Sequence, residues 1–415
     1  MNTWLIFILT VVIGRHLFEC LVSFINIRSL RSELPDEFVE VFNPDDYKKS
    51  QEYNRLTSRF NIISSTITTT ATLLFLLFGG FNTVDLFARG FGYGEILTGL
   101  IFSGSLALLS FFLNLPFNGY SIFVIEELFG FNRMTIRTYI LDILKGTLLI
   151  IVLGGPLLAL IFWFFLRTGD VAWIYCWAGV VLFSIFIQFL APVVIMPLFN
   201  TFSPLKNDLL KERIMNYARK ERFQVKGIFT MDGSKRSSKL NAFFTGFGRF
   251  RKIVFFDTLM EKLTEAELLA VLAHEMGHCK LKHIWKMMIA SIVQTGIMFF
   301  LLSLILNNSD LFEVFGMAHL SVYASLVFFG FLYSPLNLFT SVLFNRISRS
   351  YEFEADSFAA STTAAPEHLI SGLKILSREN LANLTPHPLY VFLHHSHPPI
   401  LERIKALRQI SLLKC

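Results

Sequence analysis

The run Leu268-Leu-Ala-Val-Leu-Ala-His274-Glu275-Met276-Gly277-His278 sets two histidines four residues apart around a glutamate. On an α-helix, residues i and i+4 share a face, so both imidazoles can reach a single Zn²⁺ at about 2.0 to 2.1 Å. Glu275 points to the side of that face. It can therefore act as general base, taking a proton from a water that attacks a peptide carbonyl polarised by the zinc. Thr264 followed by Glu267 reads as a capping box that starts the helix, and the apolar residues between box and motif favour its continuation. A chance His-Glu-x-x-His is the bland alternative. The cap, the apolar helix and the apolar run that follows all weigh against it.

A zinc hydrolase needs a third protein ligand. His283 does not stand at metzincin spacing, because position 284 is Ile and position 281 is Leu. The segment Ser350-Tyr-Glu352-Phe-Glu354-Ala-Asp356 reads as helical, with Glu352 and Asp356 four apart on one face. Glu352 could complete the coordination while Asp356 orients a ligand histidine from behind. Glu354 lies on a different face and is the weaker candidate. A solvated acidic turn is the alternative, disfavoured by the neighbouring Phe353, Ala355 and Phe358.

The elements that position these groups follow from composition. Of 415 residues, 53% are hydrophobic and only 16% charged, with 46 Phe, whereas soluble domains carry about 25% charged residues. A membrane protein is implied; disorder, coiled coil and disulfide scaffold are excluded. Apolar stretches long enough to span a bilayer lie within 5–27 and near 62–82, 95–117, 139–166, 171–198, 285–307 and 319–343. The first is read as a retained span, since no positive region precedes it and no cleavage site follows. Segment 28–60 holds six Lys/Arg and 199–284 holds sixteen, while 83–94 holds only Arg89 and 308–318 none. Seven spans with the N-terminus outside put every Lys/Arg-rich segment in the cytosol. The net charge of +6 is thus read as cytosolic loops, with no nucleic-acid partner. The expected organisation is five spans in 1–198, half of a peptidase domain in 199–284, two spans in 285–345 and the second half in 346–415.

Arg15, His16, Glu19, Asp142 and Lys145 lie inside or at the margins of apolar runs, where such groups face a bundle interior or snorkel to the interface. Cys20, Cys176, Cys279 and Cys415 show neither a paired framework nor metal spacing, so thiols are expected. Residues 241–250 read as a strand and tight turn, with Gly246 and Gly248 as breakers, leading into a strand over Lys252 to Asp257. An exposed edge beside the motif helix could bind an extended peptide, making Asn241 a substrate contact. An ordinary hairpin tip is the other reading.

Over nearly its whole length the chain resembles the type I CAAX prenyl endopeptidases, seven-span zinc metallopeptidases. The resemblance rests on Lys49-Ser-Gln-Glu-Tyr53, Asp232-Gly-Ser-Lys-Arg-Ser-Ser238 with Asn241-Ala242, Phe256-Asp-Thr-Leu259, the His274 to His278 motif, Tyr351-Glu-Phe-Glu-Ala-Asp356 and Ser396-His-Pro-Pro-Ile-Leu-Glu-Arg403. It implies Glu352 as third zinc ligand. It also places His397 and Arg403 beside the zinc, His397 as a catalytic group and Arg403 as a substrate contact, able to hydrogen-bond the oxyanion or substrate backbone. At the position of Glu354 the family often has Gln. Without the resemblance, His394, His395 and His397 would read as a His-rich tract or surface loop.

The expected fold is mainly α: a polytopic membrane protein with about seven transmembrane helices and a gluzincin-like metallopeptidase domain carrying a small hairpin or sheet. The expected function is a membrane endopeptidase with one Zn²⁺ per chain, acting on peptides or prenylated proteins. By resemblance, it removes the three residues after a prenylated Cys. Quality-control proteolysis and a non-enzymatic, lipid-handling role are the alternatives. The membrane is expected to be bacterial cytoplasmic or, in a eukaryote, endoplasmic reticulum, and a monomer suffices.

Overall fold

A computed structural model describes residues 2–245, 252–306 and 308–412. Among the described residues, seven helices are long and apolar enough to cross a membrane: Thr3–Arg28, Pro44–Leu77, Glu95–Glu126, Ile136–Arg167, Gly169–Phe199, His283–Ser303 and Val322–Thr363. Two run beyond their apolar stretches. The second starts at Pro44, because the Asn43 side chain accepts a hydrogen bond from the Asp46 amide and Pro44 suits the first helical turn. The seventh continues without a break from membrane-length sequence to Thr363, so Glu352, Glu354 and Asp356 ride on a rigid extension of a span. The expected boundary at 345 therefore falls inside one helix. Wide turns at Ile150–Gly154 and Ala191–Ile195 adjoin Pro156 and Pro192, whose rings disturb the regular helical bonding.

Four strands, β1 (Phe202–Pro204), β2 (Gly227–Met231), β3 (Ala242–Thr245) and β4 (Lys252–Phe256), form a sheet in the order β1-β2-β4-β3. β3 and β4 pair antiparallel, Ala242 opposite Phe255 and Thr245 opposite Lys252, as the hairpin expectation requires. The expected turn at Gly246 and Gly248 lies outside the described residues. The parallel partner of β4 is β2, which sequence reading did not foresee. β4 ends one residue earlier than expected, since Asp257 opens a short helix.

One apolar core joins the two polar segments. It contains Ile228, Ile253 and Phe255 of the sheet, Leu268, Leu272 and Met276 of the motif helix (Glu265–Lys280), Ala359 and Ala360 of the seventh helix, Leu369 and Leu373, and Ile404 and Leu407 of the C-terminal helix (Ile400–Leu412). Leu268, Leu272 and Met276 recur every four residues and are fully buried, each worth about 1.5 to 3 kcal/mol. That stripe anchors the motif helix and turns the neighbouring stripe, His274 and His278, toward the seventh helix. The capping box is present: the Glu267 carboxylate accepts from the Thr264 amide at 2.8 Å, and the Thr264 hydroxyl accepts from the Glu267 amide.

The loop after β2 ties this unit to the spans. Arg236 forks onto Asp142 of the fourth span at 2.7 and 2.9 Å and donates to the Asn200 side chain and the Phe199 carbonyl. Lys239 donates to Tyr53 and Glu126. The other ionisable residues in the spans also find partners on separate elements. Arg15 meets Ser334, His16 meets Thr66, Glu19 meets His394, and Lys145 donates to the Leu198 carbonyl. At the end of the bundle bearing the short loops, Phe81 packs edge-on against Phe315 and Phe328. Cys20, Cys176 and Cys279 form no disulfide, and Cys415 lies outside the described residues.

The motif helix and the seventh helix pack closely at Gly277. A Cβ there would stand 3.1 Å from the Ala355 Cα and 3.3 Å from its carbonyl oxygen, backbone atoms that cannot swing aside. Gly277→Val should therefore cost about 1 to 3 kcal/mol and spread the helices. The check is the unfolding temperature and metal retention of the purified protein in detergent; wild-type values for both would show that the crossing tolerates bulk.

Candidate metal centre

The crossing brings His274, His278 and Glu352 together, with one donor atom from each lying within 4.8 Å of the others. The two Nε2 atoms are 3.2 Å apart, and Glu352 oxygens stand 3.4 Å from His274 Nε2 and 3.3 Å from His278 Nε2. Ligands at about 2.0 to 2.1 Å around a tetrahedral ion are separated by about 3.3 to 3.4 Å. The donor set thus has the dimensions of a tetrahedral site. Moreover, Glu352 Oε2 is buried and accepts no hydrogen bond among the described residues, an oxygen that a cation would satisfy.

Charge tells the same story. Burial and the Arg403 guanidinium pull the His274 imidazole toward neutrality, yet the Asp356 and Glu352 carboxylates outweigh both, and its pKa is pushed up to about 9. A buried imidazole raised in this way by two carboxylates marks a place short of positive charge. A divalent cation held by two imidazoles and a carboxylate fits it.

Behind His274 stands a second layer. Asp356 Oδ1 lies 2.8 Å from His274 Nδ1, which leaves Nε2 facing the donor cluster. Asp356 is gripped in turn by Arg403, through Nε at 2.8 Å and an amino nitrogen at 2.6 Å, and Arg403 reaches Glu352 Oε2 at 3.3 Å. Arg403, expected to touch substrate, is 7% exposed, with its guanidinium on these two carboxylates and 3.3 Å from His274 Nδ1, and the C-terminal helix packs behind the site.

Glu275 projects from the motif helix into a cavity of about 670 Å³, whose walls also include His278, Gln188 of the fifth span, Phe243 and Phe244 of β3, and Phe344 of the seventh helix. Burial pushes its carboxyl up, while the two imidazoles pull it down. His397 stands in the loop before the C-terminal helix, well exposed, with Nε2 3.3 Å from Glu352 Oε1. Asn241 is exposed at the start of β3, an edge strand, and its side chain accepts from the Ala242 amide. It is not among the cavity's lining residues, whereas Phe243 and Phe244 are.

His283 is the residue that sequence reading set aside. Its Nδ1 lies 3.1 Å from His278 Nδ1 and its Nε2 3.1 Å from Glu354 Oε2, with the ring stacked on Tyr351 at 4.1 Å. Only the nearness of 283 to the motif hinted at this. The pairing needs the helix crossing.

Removing Arg403 leaves Asp356 buried without its main partner, a loss of about 3 kcal/mol. Arg403→Ala should accordingly lower the unfolding temperature of the detergent-purified protein. An unchanged temperature would show that the fork is dispensable to the fold.

Comparisons with known proteins agree with this geometry. A family model described as "CAAX prenyl protease N-terminal, five membrane helices" matches residues 24–201, and one for "Peptidase family M48" matches residues 204–411. The CAAX prenyl protease 1 homolog of Arabidopsis thaliana is 35% identical over 404 residues, covering 94% of this chain and 94% of the relative. CAAX prenyl protease 1 of Saccharomyces cerevisiae is 31% identical over 440 residues, covering 98% and 96%. The crystal structure of S. mikatae Ste24p aligns with a TM-score of 0.93 at 31% identity, over 98% of this chain and 99% of that one. The chain, a multi-pass membrane metalloendopeptidase, therefore belongs to the CAAX prenyl protease branch of peptidase family M48.

Proposed function

We propose that this protein is a zinc endopeptidase that removes the last three residues of proteins ending in a prenylated Cys, with one Zn²⁺ held by His274, His278 and Glu352. The observation that carries the reading is the spacing of those donors, 3.2 to 3.4 Å apart beside a cavity into which Glu275 projects. When bound, zinc supplies Lewis-acid polarisation of a peptide carbonyl and acidifies water. Glu275 takes the proton from the attacking water and passes it to the leaving amide nitrogen; a carboxyl raised by burial accepts it more readily. His397, exposed beside Glu352, donates to the oxygen on which charge develops. Asp356 and Arg403 hold His274 and Glu352 in place.

The edge of β3 offers Asn241 and its neighbours to an extended peptide, and the cavity between sheet and spans receives the residue before the cut. A second, almost wholly apolar cavity of about 360 Å³ between the sixth and seventh spans shares Gln294 and Phe344 with the first, a surface suited to a prenyl chain. Segments 199–284 and 346–415 act as the two halves of one peptidase unit, in keeping with their common core. Their Lys/Arg content supports a cytosolic position for both. The relatives named above come from eukaryotes, which favours the endoplasmic reticulum over a bacterial membrane. All the site residues come from one chain, so a monomer suffices.

Glu275→Gln should keep its zinc while losing about 10²- to 10⁴-fold in kcat. Full turnover by the zinc-loaded variant would contradict the role given to Glu275. In a second assay, a peptide ending in Cys plus three residues is offered with and without a farnesyl group on the Cys. The farnesylated form should be cleaved with the higher kcat/KM; equal values would move the reading to general membrane-protein proteolysis.

A further inference from the structure

Each ligand histidine must present a lone pair to the metal, and that requires its other ring nitrogen to carry the proton. For His274 the means is direct, a carboxylate of Asp356 at 2.8 Å from Nδ1. Among the described residues no carboxylate touches His278 on that side. Its Nδ1 faces another imidazole, His283, at 3.1 Å. His283 is 3% exposed, stacked on the Tyr351 ring with 5° between planes, and its far nitrogen meets the Glu354 carboxylate at 3.1 Å.

Two imidazole nitrogens at hydrogen-bond distance can share only one proton if both rings are neutral. Glu354 settles the direction. An ionised carboxylate only accepts, so His283 Nε2 carries a proton and donates it to Glu354. The neutral His283 then has a bare Nδ1, which accepts from His278 Nδ1. His278 Nε2 is left with its lone pair, pointing at His274 Nε2 and Glu352. Three side chains on three helices thus fix one tautomer.

We infer that His283 and Glu354 form a positioning relay that sets the tautomer and orientation of His278 for metal binding, a task that Asp356, gripped by Arg403, performs for His274. The inference rests on the reading that His274, His278 and Glu352 hold zinc. It accounts for Glu354, whose carboxylate points away from the donor cluster although it sits two residues from Glu352 on the same helix. It also requires only a hydrogen-bond acceptor at 354. An amide oxygen serves as well as a carboxylate.

The test is zinc affinity, measured by competition with a chelating dye on full-length protein in detergent. His283→Ala and Glu354→Ala should each weaken zinc binding about 10- to 100-fold. The double variant should lose no more than His283→Ala, because the two act in series. Glu354→Gln keeps the acceptor and should stay near the wild type. Glu354 is 44% exposed, so Glu354→Ala decides the matter even if His283→Ala does not fold. Wild-type affinity in Glu354→Ala would overturn the relay, as would a Glu354→Gln variant as weak as Glu354→Ala, since that would make charge the operative property. A wild-type protein that binds no zinc would instead overturn the parent reading.

Discussion

The close crossing of two helices at Gly277 and Ala355 is the contact on which the site depends. The motif helix contributes two imidazoles and the seventh span contributes a carboxylate, and neither element alone could gather three donors. Glycine suits the place because a Cβ at 277 would press on the Ala355 backbone at 3.1 and 3.3 Å and on the Phe358 ring at 3.2 Å. The stripe of Leu268, Leu272 and Met276 sets the rotation of one helix, and the bilayer sets the placement of the other. The peptidase chemistry is built on a membrane span that does not end where the membrane-length sequence ends.

Gathering Glu352 and Asp356 in a buried place carries an electrostatic cost. Arg403 offsets part of it by forking onto Asp356 and pairing with Glu352 Oε2 at 3.3 Å; that oxygen accepts no hydrogen bond among the described residues, which leaves the remainder for a cation. This explains why an arginine close to the centre is buried. It also separates two classes of neighbour. Arg403 and Asp356 hold the charge balance from behind, whereas Glu275 lines the cavity and His397 is exposed beside Glu352.

Much of this was legible in the chain. The motif helix could be read from Thr264, Glu267 and the two histidines, because capping and i, i+4 geometry are local rules. Glu352 and Asp356 could be paired on one face for the same reason, and the spans followed from hydropathy. Where reading fell short, the determinants were tertiary. The second helix starts at Pro44 because a cap outweighs the polarity of its first turns. β2 pairs in parallel with a strand more than twenty residues later, a register that no local pattern states. Arg403 was placed at the site by resemblance, but its burial depends on how the C-terminal helix packs. His283 failed as a ligand on spacing alone, and its contact with His278 needs the chain to turn between the motif helix and the sixth span, through the left-handed Lys282.

The central claim is that two imidazoles and one carboxylate of this chain enclose a single zinc ion. X-ray absorption at the zinc edge of the full-length, detergent-purified protein reads the ligand types and distances directly. The account predicts one zinc per chain with two nitrogen ligands of imidazole type and the remainder oxygen, at about 2.0 to 2.2 Å. A sulfur shell near 2.3 Å, a single imidazole, or no bound zinc would contradict it.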